Sequence, residues 1–200
     1  MVLVNVRLGV LVVVGLLAGC RGFAPASAEA KSWVRPMELA ESMPAEQFVV
    51  EIESAHLAGI YDALLVAEGG VVRMQLFPDV GGKVLDLTVA AAHISCELPD
   101  ASYRAEPPYA AAEPHLALVF AAIFAELRSP PAARVIGERR EAGRIREVQL
   151  EPALGSGTVT ATLLPDGQIQ CYRISLGYLE FSLSGDGSFA GPGFAGRLCP

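Results

Sequence analysis

Val71-Val72-Arg73-Met74-Gln75-Leu76-Phe77-Pro78-Asp79-Val80-Gly81-Gly82-Lys83-Val84-Leu85-Asp86-Leu87 is the stretch on which the fold turns. Val72, Met74 and Leu76 alternate with Arg73 and Gln75, and beyond the turn Leu85 and Leu87 flank Asp86. A period of two sends successive side chains to opposite faces, so each run is a strand with one apolar and one wet face. Pro78-Asp79-Val80-Gly81-Gly82 is turn chemistry, and it joins the two runs as antiparallel neighbours. Val80 is the lone apolar side chain among those turn formers.

The same alternation extends to either side. Phe48, Val50 and Ile52 alternate with Glu51 and Glu53, and Gly59 to Ala67 reads as a further strand before the Gly69-Gly70 turn. Beyond the Ala90 to Ala92 corner, Ile94, Cys96 and Leu98 alternate with His93, Ser95 and Glu97. Together these runs predict a meander. Pro107-Pro108 and Pro114 then frame a loop, and His115 to Leu127 is apolar nearly all round, which predicts a helix buried on most sides. Strands resume at Arg134 to Ile136, Ile145 to Leu150, Val159 to Leu163, Ile169 to Ile174 and Leu179 to Leu183, with Pro165-Asp166-Gly167 as a turn. Parallel βαβ units would need a helix at every crossover, and only one long helix is present. The predicted fold class is therefore mainly β with a helix: about nine strands in an antiparallel sheet curled into an incomplete, open β-barrel, covered or plugged by the hydrophobic helix.

The N-terminus carries a different kind of signal. Arg7 precedes the apolar run Leu8 to Leu17, and Leu17-Ala18-Gly19-Cys20 closes it with small residues before a cysteine, as in a secretory signal. The run falls short of the roughly 20 residues that a bilayer-spanning helix needs. Leu17 to Cys20 resembles the lipobox of bacterial lipoproteins, which implies cleavage before Cys20 and covalent lipid on that residue. Several acyl chains give lasting attachment where one is marginal. The expected organisation is a signal peptide at 1–19, a lipidated cysteine and flexible tether at 20–35, a barrel domain at 36–184 and a flexible Gly/Pro-rich tail at 185–200. Pro36 to Met43 reads as a short helix at the start of the domain.

Composition restricts the partners. The chain has 200 residues with 15 Lys+Arg against 22 Asp+Glu, and removing the signal with Arg7 leaves 14 basic side chains and a net charge of −8. So acidic a chain is a poor ligand for nucleic acid. Mean hydropathy of +0.41 is high for a soluble domain, which predicts a large core or an apolar cavity. Cys96, Cys171 and Cys199 allow one disulfide with one thiol over, or buried free thiols at Cys96 and Cys171, which share the apolar phase of the alternation. There is no Cys-x-x-Cys spacing, which argues against a zinc site or thioredoxin-type redox chemistry.

Catalytic constellations are weak. His56, His93 and His115 are the only histidines, and no nucleophile-elbow, zincin or Walker sequence accompanies them. His93 and Asp86 both fall on the polar phase and read as surface residues, while His115 after Pro114 reads as a helix cap. Glu51 and Glu53 are what any outward polar face supplies. Arg139-Arg140, Arg144 and Arg146, mixed with Glu138, Glu141 and Glu147, read as a solvated hairpin, with contact to lipid phosphate as the functional alternative.

From Gln47 to about Arg104 the chain resembles the LolB-like outer-membrane lipoproteins of the LolA/LolB superfamily. The resemblance rests on the strand, apolar-tipped loop and returning strand at 71–87, and continues as architecture through the helix and later strands. It implies an open barrel without enzymatic activity or cofactor beyond the lipid on Cys20. Its site would be an acyl-chain cavity lined by inward residues such as Phe48, Val50, Ile52, Val72, Met74, Leu76, Leu85, Leu87, Phe120 and Phe124. Val80 would take the position of a membrane-inserting side chain, although it is smaller than the family's leucine and has Asp79 beside it. Implied partners are the membrane through the lipid anchor, lipoprotein or lipid cargo, and a LolA-like periplasmic carrier. Arg21 rather than Asp after the lipidated cysteine favours the outer membrane, facing the periplasm. The alternative is a structural or assembly-accessory envelope lipoprotein with a solid core that acts through surface contacts.

Overall fold

The computed structural model describes residues 22–42, 46–109, 115–177 and 179–200. The signal sequence, the lipobox and Cys20 lie outside the described residues.

The described residues fold as one open antiparallel sheet of fourteen strands with a few helices. The strands are β1 (Ala24–Pro25), β2 (Gln47–Ser54), β3 (Ala58–Glu68), β4 (Val71–Phe77), β5 (Leu85–Ala90), β6 (His93–Glu97), β7 (Ser102–Ala105), β8 (Val135–Glu141), β9 (Arg144–Leu150), β10 (Thr158–Leu163), β11 (Ile169–Leu176), β12 (Leu179–Ser184), β13 (Ser188–Gly191) and β14 (Phe194–Cys199). The helices are α1 (Ala28–Trp33), α2 (Glu38–Ser42) and α3 (Leu116–Arg128). Across the sheet the order is β1-β8-β9-β10-β11-β12-β13-β14-β2-β3-β4-β5-β6-β7, so two meanders are joined where the last strand pairs with the first long one.

That seam corrects the expected flexible tail at 185–200. β14 runs beside β2 from Phe194 opposite Ser54 to Cys199 opposite Val49, and Phe189 and Leu198 are fully buried. Gly- and Pro-rich composition here serves tight turns and close strand approach rather than disorder. Gly187, at φ +85°, turns β12 into β13 where a Cβ would lie 2.1 Å from the Leu198 carbonyl oxygen.

The expected tether at 20–35 is likewise ordered from residue 22 onward. Ala24 and Pro25 pair with Glu138 and Gly137, extending the sheet edge, and Ser27 caps α1 by accepting the Ala30 N–H. Arg35 then bridges to Gln168 and donates its N–H to Gly167 O at 3.0 Å, and the following residues bury Met37 and Leu39. The helix expected at Pro36 to Met43 is present as α2, with its last predicted residue outside the described set.

Curvature follows from α3. The helix touches both β6 and β12, which stand seven places apart in the sheet order. A flat sheet would separate those strands by roughly 34 Å, against a helix length of about 20 Å. The sheet must therefore curl around α3.

Because every neighbour is antiparallel, the connections alternate between two rims. One rim holds the β8–β9 turn at Ala142-Gly143, the β10–β11 turn, the β12–β13 turn and the chain end, with Arg35, Met37 and α2 lying across it. The opposite rim holds the β9–β10 loop, the β2–β3 turn at 55–57 and the β4–β5 loop with Val80.

Candidate functional site

The predicted cavity residues fall on the inside of the curl. In β2, β4 and β5 the even spacing puts Phe48, Val50, Ile52, Met74, Leu76, Leu85 and Leu87 on the inner face, each at most 5% exposed. Val72, at the start of β4, is only partly buried and packs at the margin. From α3, Phe120 and Phe124 complete the predicted set, both at 2% exposure or less. Nine of the ten predicted residues thus belong to the buried core itself, and the tenth to its edge.

The interior is closely packed. Phe124 meets Phe48 edge-on at 6.2 Å, Phe120 lies 6.2 Å from Phe124, and Phe120 meets Phe189 edge-on at 5.7 Å. Such ring pairs add to simple area burial. Phe189 and the buried Tyr172, Phe181 and Leu183 of the second meander line the same space and were not among the predicted residues. The alternation of Leu179, Phe181 and Leu183 carried that signal; Phe189 was hidden by the glycine-rich sequence around it.

α3 is held to the sheet at both ends by polar groups. His115 caps its N-terminus: Nδ1 accepts the Ala117 N–H at 3.1 Å, and the ring stacks on Tyr103 at 4.1 Å and near His56 at 6.0 Å. Burial first and the neighbouring His56 second hold the His115 pKa below the ordinary histidine value. Near the C-terminus the buried Glu126 accepts from Arg134 Nη1 and from the Ala153 N–H, both at 2.8 Å. Arg134 Nη1 also donates to Glu151 O. A carboxylate removed from water needs such partners, because losing one leaves an uncompensated charge. Between its ends α3 offers an uninterrupted apolar surface, with Leu116 to Phe124 all buried except for the half-buried Ala125 that follows.

Val80 stands apart from the interior. It is 90% exposed at the tip of the β4–β5 loop, which Lys83 and Asp86 brace by an ion pair and Gln75 Nε2 reinforces by donating to Asp86 at 3.2 Å.

The remaining constellations do not assemble. Asp86 lies opposite Glu97 whereas His93 lies opposite Ala90, at the other end of the β5–β6 pair. Glu51 and Glu53 point outward into solvent. Cys96, Cys171 and Cys199 are free thiols, and only Cys96 is fully buried. A register shift after Thr162, opposite Gln170, moves Cys171 off the apolar phase and onto the outer face. Among the described residues no group of three or more His, Cys, Asp or Glu is placed to hold a metal ion, and no helix is long and apolar enough to cross a membrane.

Compared with models of known families the chain matches none, and comparison with curated proteins likewise gives no match.

Proposed function

We propose that this chain is a non-enzymatic, membrane-anchored lipoprotein of LolB-like architecture. It accepts an acyl chain of lipid or lipoprotein cargo within the curled sheet, at the outer membrane and facing the periplasm. The observation that carries the proposal is α3, a helix with almost no polar surface lying inside an open antiparallel sheet. Its contacts there are dispersive and apolar, and its polar ties are confined to the His115 and Glu126 ends. An acyl chain offers the same kind of surface, since each CH₂ kept from water is worth roughly 0.8 kcal/mol. Cargo entry would exchange contacts to α3 for contacts to the acyl chain. The resemblance assigns membrane insertion to the position of Val80, whose side chain is exposed at the loop tip.

The test is native mass spectrometry of a Cys20→Ala form purified from the periplasm, followed by titration with a fluorescent fatty-acid analogue. Co-purifying acylated molecules, displaced by the analogue, support the proposal. The second reading, a solid-cored accessory lipoprotein acting through its surface, is favoured by the close packing of Phe48, Phe120, Phe124 and Phe189. It predicts a protein that stays empty and does not bind the analogue.

A further inference from the structure

The docked N-terminal segment sets how the domain meets its membrane. Pairing of Ala24 with Glu138 and Pro25 with Gly137 means that, followed backward from Ala24, the chain heads along β8 toward the β8–β9 turn. Phe23 lies in that path, with the Arg139 guanidinium 4.7 Å from its ring centre. Ser27 and Glu29 fasten the segment further: Ser27 donates to Glu138, and Arg140 donates to Glu29 at 2.5 Å and to Glu138 at 2.8 Å. Gly137 eases the close approach, because a Cβ there would lie 3.1 Å from Phe23 Cβ and 3.2 Å from Ala24 O, tighter than ordinary contact. In the sequence Cys20 precedes Phe23 by three residues, so a lipid on it is tied to the docked segment by a short length of chain.

The turn toward which this segment leads carries the chain's one basic cluster. Arg139 is paired with Glu147 at 2.7 Å, and Arg140 is committed to the docked segment. Arg146 has only a long, exposed approach to Glu141 at 3.8 Å, and Arg144 is exposed with no ion-pair partner among the described residues. Two guanidinium groups are thus available at the turn toward which the docked segment leads. Their planar forks suit phosphate oxygens. Exposed Glu141, Asp166 and Asp186 share this rim, so the attraction to an anionic surface is local to Arg144 and Arg146.

We infer that the domain rests on its own membrane by the β8–β9 turn, with Arg144 and Arg146 on phospholipid phosphate, and turns the Val80 rim away from that membrane. The inference rests on the lipidation of Cys20. It changes the part played by Val80: on the rim opposite the anchor, its exposed side chain meets what arrives from the periplasm rather than the bilayer that holds the protein.

The full-length protein is placed in vesicles of phosphatidylethanolamine and phosphatidylglycerol, in a Cys171→Ser/Cys199→Ser background that leaves only the buried Cys96. A nitroxide is attached at Ala142→Cys or at Val80→Cys, and its collision with a nickel chelate carried on lipid headgroups is measured. The expected result is several-fold stronger relaxation at position 142 than at 80, reduced by Arg144→Glu/Arg146→Glu. Equal or reversed relaxation in an acylated protein overturns the orientation and leaves the anchor intact. Relaxation at 142 that the double charge reversal does not change overturns the phosphate contact. A purified protein whose intact mass shows no acylation overturns the anchor, and the inference with it.

Discussion

Glu138 accepts the backbone N–H of Ser27 at 2.9 Å and the Ser27 hydroxyl on the same oxygen, across 111 positions of sequence. Burial opposes ionisation of Glu138, but the bonds from Ser27 and Arg140 outweigh it and hold its pKa below the ordinary carboxylate value. A lowered folded pKa adds stability that is present above the unfolded value and lost as pH falls through the folded one. The docked segment should therefore loosen below about pH 4. Glu138→Ala should cost about 1–3 kcal/mol and loosen the segment at neutral pH. Emission from Trp33, the only tryptophan, which packs on Gly167, reports the docking.

His115 makes a second pH-dependent contact, of the same sign. Its Nδ1 must be unprotonated to accept the Ala117 N–H, and a positive charge there would face both the helix N-terminus and His56. Stability from the neutral ring is complete above about pH 6.5 and is lost as pH falls through the lowered folded pKa. Melting temperature measured from pH 7.5 to 5 should fall more steeply for the native chain than for His115→Asn, which keeps a capping oxygen without titrating. His115→Ala should cost about 0.5–2 kcal/mol at pH 7.5. A pH profile unchanged by His115→Asn would remove the ring from this role.

Gly187 tests the seam between the two meanders. Its φ of +85° and the 2.1 Å approach of Leu198 O leave no room for a methyl group, so Gly187→Ala should destabilise by at least about 1–3 kcal/mol. Deleting residues from 188 onward removes β13 and β14 and leaves the inner edge of β2 unpaired. Chemical denaturation should then lose its single cooperative transition.

The three described cysteines should separate by reactivity. Burial, with Asp86 and Glu97 adding to it, pushes the Cys96 thiol up to about 12, so its thiolate is scarce at pH 8. Cys171 and Cys199 are half-buried free thiols. A colorimetric thiol reagent should modify those two in the native protein and reach Cys96 only on unfolding.

Phe120 links α3 to the second meander through Phe189. Phe120→Ala should cost about 3–5 kcal/mol in denaturant unfolding. If the interior takes acyl chains, the same truncation should raise occupancy by a fluorescent fatty-acid analogue, because the space vacated is lined by apolar groups. A solid-cored protein would show the destabilisation alone.

Much of this architecture was legible in the sequence because period-two alternation is a local property. It located β2 to β6, most of β9 to β12 and the inward residues from Phe48 to Leu87. The all-apolar composition of 115–127 likewise located α3 and its burial. Where local rules compete, composition alone misleads. Glycine and proline around Phe189 read as disorder, but they serve turns and close strand approach whose purpose exists only once β14 has met β2.

The sequence by itself determined that the chain is a run of antiparallel strands around one apolar helix, with a single apolar side chain, Val80, among the turn formers at 78–82. Only tertiary structure decided that residues 23–35 dock, that the C-terminal strand joins the meanders, that Cys171 faces outward past a bulge, and that Val80 and the docked N-terminal segment occupy opposite rims. The reason is physical: side-chain alternation is fixed by backbone geometry a few residues at a time. Which edge accepts which strand depends on hydrogen-bonding groups brought together from more than a hundred residues apart, and no local pattern records that pairing.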